Sequence, residues 1–127
     1  MTPTARTLAM LRAEGGTAAV VERWNAHAKV RQDLYGFADI LCVWPGVTGV
    51  LAVQACVTGD QAKRVAKIAA EPRARVWLAA GNRIQVVGWA KRGPRGQVKH
   101  WTPSITPIVA TDLDKDAPAA GRGEDGG

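Results

Sequence analysis

The stretch Asp33–Val57, DLYGFADILCVWPGVTGVLAVQACV, decides how the chain is read. It holds two apolar runs, Phe37–Trp44 and Gly49–Val57, joined by Pro45-Gly46-Val47-Thr48. Apolar strands around a Pro-Gly turn predict an antiparallel hairpin. Alternation puts Phe37, Asp39, Leu41 and Val43 on one face of the first strand and Ala38, Ile40 and Cys42 on the other. Asp39 is thus an acid inside an otherwise buried strand. Burying a carboxylate without a partner is costly, so a functional role or a fixed ion pair is expected of it. In the second strand Val50, Ala52, Gln54 and Cys56 share a face, and Gln54 and Cys56 project side by side.

Upstream, Thr2-Pro3-Thr4 followed by ARTLAMLRAEGG reads as a capped helix that stops at Gly15-Gly16. Thr17–Asn25, TAAVVERWN, reads as a strand with Glu22 inside it, and Ala26–Tyr35 as a polar connecting loop with Lys29 and Arg31 beside Asp33. Downstream, Thr58-Gly59-Asp60 caps a second helix that ends before Pro72. On that helix Asp60, Lys63, Arg64 and Lys67 form one charged face, and Ala62, Val65, Ala66 and Ala69 the opposite one. Arg75–Ala80, RVWLAA, reads as a short buried strand, and Arg83–Lys91 as another. The basic turn KRGPRGQVK then leads into HWTPSITPIV. The order helix, strand, strand, strand, helix, strand, strand predicts an α/β fold with a mixed sheet flanked by helices.

A chain of 127 residues is enough for one domain. We expect residues 1–110 to form it and residues 111–127, acidic and rich in Gly and Ala, to be a disordered tail. The net charge of +6 is uneven: residues 1–111 carry 15 bases against six acids, whereas Asp112–Gly127 holds five acids and two bases. A body this basic suggests a polyanionic partner, with nucleic acid the commonest. No run approaches the roughly 18 apolar residues of a membrane helix, and the polar MTPTART start is unlike a signal peptide. A soluble cytoplasmic protein without a membrane partner is expected. Cys42 and Cys56 have no metal-ligand spacing and read as small buried hydrophobes in a reducing compartment.

The element order, with Gly36-Phe37-Ala38-Asp39-Ile40 and Val53-Gln54-Ala55-Cys56, resembles the PD-(D/E)XK nuclease superfamily over roughly Thr4–Ala80. This is the restriction-endonuclease-like fold, shared with Holliday junction resolvases, and it has an αβββαβ core. The family places an Asp at the start of the second core strand and an acid-x-Lys in the third, which here correspond to Asp39 and to Gln54-x-Cys56. The resemblance implies a Mg2+ (or Mn2+) site in which Asp39 is the main ligand, Gln54 a neutral ligand, and Glu22 or Asp33 the second carboxylate. Hard cations prefer charged oxygen, and Gln54 offers a carbonyl oxygen without charge. Cys56 cannot replace an ammonium group. The family lets its lysine migrate to the following helix, which makes Lys67 the first candidate for the cationic role and Arg64 the second. Outside the resemblance, Glu22 reads equally as a strand acid paired with a neighbouring arginine, and Asp33 as a turn cap. The implied activity is hydrolysis of DNA phosphodiesters by a small endonuclease or junction-processing enzyme. The alternatives are an inactive nucleic-acid-binding module on the same fold and, less favoured, a structural adaptor. Nucleases of this type often act as homodimers.

Five tryptophans outnumber the single Phe and single Tyr, and Trp24, Trp89 and Trp101 adjoin bases. Bases contact phosphate while aromatic faces stack on unpaired nucleobases. Lys91, Arg92 and Arg95 on the Gly/Pro turn, with Lys99, Lys63 and Arg31, are the expected nucleic-acid contacts. Trp44 and Trp77 are expected in the core.

Overall fold

The computed structural model describes residues 1–113. A five-stranded mixed sheet runs β1 (Thr17–Val20), β4 (Ile40–Val43), β5 (Leu51–Val57), β6 (Arg83–Arg92) and β7 (His100–Ile108) in spatial order. Only β5 and β6 are parallel. A separate two-stranded sheet, β2 (Arg23–Asn25) with β3 (Val30–Gln32), is inserted between β1 and β4. Three helices complete the α/β fold: α1 (Pro3–Ala13), α2 (Gln61–Ala69) and α3 (Pro72–Ala79).

Each face of the sheet buries its own cluster. Leu11 of α1 joins Ile40, Leu51, Val53 and Val87 on one side, while Ile68 of α2 and Ala74 of α3 join Phe37, Ala52 and Val86 on the other. Each large apolar side chain so buried contributes about 1.5–3 kcal/mol. Cys42 and Cys56 are buried in opposite clusters, and burial pushes both thiols up. α1 begins where the Thr2 hydroxyl accepts from the Ala5 N–H with Pro3 in the first turn. It is anchored by the Trp89 indole N–H, which donates to Thr7 Oγ1 at 2.9 Å. α2 is tied to the far strands by Gln61, whose buried amide donates to Ser104 O at 2.7 Å and Val86 O at 3.2 Å. Gly88 permits that approach, since a Cβ there would stand 2.5 Å from Gln61 Oε1.

The outer edge of β7 is interrupted by two prolines. Pro103 and Pro107 are four residues apart, so the strand lacks two N–H groups on one side, which weakens it as a template for a further strand.

Several sequence expectations are corrected. Arg75–Ala80 is not a strand but lies mostly within α3, which starts at Pro72 with Glu71 as its cap, accepting from Arg73 N. Pro72 ends one helix and opens the next. The inward residues Ala74, Trp77 and Leu78 follow helical spacing, and the strand parallel to β5 is β6. The span Thr17–Asn25 is two strands in different sheets, and the expected loop contains β3. Glu22 falls between β1 and β2 rather than inside a strand. Residues 111–113, expected in the tail, are structured: Ala110–Asp112 is a 3-10 turn and Leu113 is buried in the core. The rest of that expected tail, from residue 114, lies outside the described residues. Among the described residues no helix is long and apolar enough to cross a membrane.

Candidate functional site

The first residue of the site sits where β4 runs out. Asp39 precedes Ile40, the first residue of β4, and its backbone N–H still donates to Val53 O at 2.9 Å. One step further along β5 the ladder has no backbone acceptor from β4. Asp39 Oδ2 takes that place and accepts the Ala55 N–H at 2.8 Å. The carboxylate thus substitutes for a missing ladder carbonyl, which offsets part of the cost of its burial.

Glu22 is brought in from the other side. The Val21 and Glu22 amides both donate to Asp39 O, at 2.8 and 3.3 Å, extending the contact between β1 and β4 past Val20. Asp33 arrives on a tight turn. Gly36 N donates to Asp33 O at 3.2 Å, and Tyr35 and Gly36 both take left-handed backbone conformations, with φ of 56° and 78°. For Tyr35 this conformation carries strain of about 1–3 kcal/mol. It is held by contacts of its ring with Phe37 and Trp77 and by the Arg73 guanidinium over its face. One carboxylate oxygen each from Glu22, Asp33 and Asp39 then lie within 4.8 Å of one another.

Gln54, fully buried on β5, completes the cluster. Its Nε2 donates to Asp33 Oδ2 at 2.9 Å and to Asp39 Oδ1 at 3.1 Å. Its Oε1 is buried and has no hydrogen-bond partner. On α2, Lys67 Nζ lies 3.7 Å from Asp33 Oδ2. Arg64 lies close enough for its charge to act on Asp33, and its Nε is buried without a hydrogen-bond partner.

The electrostatics of the pair Asp33 and Asp39 are asymmetric. Burial, then the hydrogen bond and charge of Asp33, push Asp39 up to about 7, against the Ala55 and Gln54 bonds that favour its anion. Burial also opposes ionisation of Asp33, but bonds from Asp39 and Gln54 and the charges of Lys67 and Arg64 outweigh it and hold Asp33 below its usual range. The surroundings thus favour the protonated form of Asp39 and the ionised form of Asp33.

The fold therefore brings together Asp39, Gln54, Glu22, Asp33 and Lys67, with Arg64 beside them. Cys56 packs in the core next to Ile68 and takes no part. Of the expected nucleic-acid contacts, Arg31 lines a cleft of about 400 Å3 shared with Asp33, Lys67 and Arg73. Lys63 is exposed on α2. Lys91, Arg92, Arg95 and Lys99 are exposed on the β6–β7 hairpin, where Lys91 and the Arg6 guanidinium lie against the Trp101 ring. Sequence reading missed Arg73 in the cleft and the β2–β3 hairpin that makes Glu22 and Asp33 neighbours. A signal for the hairpin was present in Asn25, whose side chain accepts the amides of His27 and Ala28 and so forms its turn.

No family model, curated protein or solved structure matches the chain.

Proposed function

We propose that the chain is a metal-dependent phosphodiesterase acting on DNA, an endonuclease or junction-processing enzyme of restriction-endonuclease-like type. The observation that carries this reading is the convergence of three carboxylates on a buried Gln54 with a lysine alongside. The topology agrees with it. Antiparallel β1, β4 and β5 follow α1 and precede α2 and α3, and β6 returns parallel to β5, with Asp39 entering the second of these strands and Gln54 on the third.

The donor set suits Mg2+ or Mn2+: Asp39, Asp33 and Glu22 offer charged oxygen, and Gln54 has a carbonyl oxygen that no protein donor satisfies. A bound divalent ion would supply Lewis-acid stabilisation of phosphate charge and a water of lowered pKa. The residues themselves do the positioning. The Ala55 amide fixes one Asp39 oxygen, so the other is aimed at the cluster. The Gln54 amide donates its nitrogen to the carboxylates, and a half-turn would instead point its oxygen towards a cation held between them. Lys67 takes the cationic role that Cys56 cannot, reaching the site from α2, and Arg64 adds charge behind it. In the adjoining cleft Arg31 would take phosphate, with Arg73, which donates to Glu71, adding positive charge.

The test is cleavage of linear and branched DNA with magnesium or manganese, comparing wild type with Asp39→Ala. Cutting that is lost in the variant supports the reading. If wild type cuts nothing with either metal but binds DNA with a steep salt dependence, the chain is a binding module on the same fold. A protein that neither cuts nor binds at low salt is an adaptor.

A further inference from the structure

The β2–β3 hairpin is rooted in the site. Glu22 immediately precedes Arg23, the first residue of β2, and Asp33 immediately follows Gln32, the last residue of β3. Between these two carboxylates the segment RWNAHAKVRQ carries Arg23, Lys29 and Arg31 and no acid. The hairpin is paired only with itself, outside the main sheet. Its turn is nonetheless defined, because Asn25 Oδ1 accepts two turn amides and Lys29 adopts φ 56°.

Trp24 pairs across the hairpin with Arg31, so the indole and the guanidinium share a face. Trp24 is 56% exposed, more than any other tryptophan. Trp44, Trp77 and Trp89 are partly or wholly buried, and the Trp101 ring already meets two cations, Arg6 and Lys91. Arg31 also lines the cleft that leads to Asp33 and Lys67, which makes the Trp24 face continuous with the acidic cluster. A large exposed aromatic on an all-basic arm suits a ligand with π-faces and a polyanionic backbone. A duplex hides its base faces in the stack, whereas an unpaired strand offers them.

We infer that the β2–β3 hairpin is a binding arm for unpaired nucleotides, with Trp24 stacking on a base and Arg31 taking the adjacent phosphate towards the site. The inference rests on the nucleic-acid reading above and assigns the part of the substrate that the arm holds. Because the arm ends in Glu22 and Asp33, an engaged strand also fixes two of the three carboxylates.

The test is equilibrium binding by fluorescence anisotropy in chelator, where cleavage plays no part, using a labelled oligothymidylate and a blunt duplex. Trp24→Ala is expected to weaken oligothymidylate binding by at least about fivefold while changing duplex binding by less than about twofold, with Trp24→Phe close to wild type. Equal losses on both ligands, or no loss on either, would overturn the inference. So would a Trp24→Ala protein that turns from dimer to monomer in sedimentation with its affinity for DNA unchanged, since the face would then meet a second copy of the chain. A protein inactive in the cleavage assay can still pass this test, and an active one can still fail it.

Discussion

Gln54 reaches Asp39 across 3.1 Å with its nitrogen, not its oxygen, so a neutral amide donor links two carboxyl groups that would repel each other if both were ionised. Its second contact, 2.9 Å to Asp33, makes it the bridge of the cluster. An acid at this position would make the site more negative, which bears on both stability and metal binding. Gln54→Glu should therefore lower the melting temperature in chelator at pH 8 and raise it more steeply than wild type as Mn2+ is added. Differential scanning fluorimetry across a metal titration reads both effects. A variant as stable as wild type without metal, and no more responsive to it, would mean that the carboxylates do not form one site.

The carboxyl of Asp39, pushed up to about 7 by burial and by Asp33, gives the metal-free fold a defined pH dependence. A pKa raised in the folded state means that the folded protein binds the proton more tightly than the unfolded chain. Its stabilising effect is complete below the unfolded value near 4 and is lost as pH rises through about 7. Asp33, shifted the other way, contributes stability above its unfolded value that is lost on acidification. Between about pH 5 and pH 8 the Asp39 effect dominates, so urea-unfolding stability in chelator should fall by on the order of 1–3 kcal/mol. Asp39→Asn should flatten the slope. A wild-type profile that rises over this range would contradict the assignment.

Lys67 distinguishes a stabilising role from a chemical one. Its side chain is half exposed and 3.7 Å from Asp33, so the ion pair is screened and Lys67→Met should change stability by less than about 1 kcal/mol. Under the proposed chemistry the same substitution should reduce single-turnover cleavage by about 100-fold or more. Rapid-quench assays and urea titrations on one preparation separate the two. Unchanged cleavage would shift the cationic role to Arg64.

The plan of strands was legible where it depends on neighbours in sequence. The Phe37–Val57 hairpin, the capped first helix and the burial of Asp39 follow from alternation, a Pro-Gly turn and a Thr-Pro start, all local signals. RVWLAA was misread because a short apolar run, here the five residues after Arg75, suits a buried strand or a short helix equally. The deciding residues, Glu71 as cap and Pro72 in the first turn, stand just before it and serve equally well as the end of α2. The hairpin over residues 23–32 escaped because its strands have three residues each and one is exposed throughout, so neither shows a buried alternation.

By itself the sequence determined the α/β class, the basic body, and the placing of Asp39 and Gln54 on adjacent strands, since a hairpin fixes that pairing through its turn. Only the tertiary structure decided that Glu22, Asp33 and Lys67 join them. Glu22 depends on β1 pairing with β4 around an inserted hairpin, Asp33 on the strained turn at Tyr35, and Lys67 on how α2 lies across the sheet once Ile68 is buried. Each is a non-local packing outcome, and neither periodicity nor turn chemistry encodes the distance between residues that far apart in the chain.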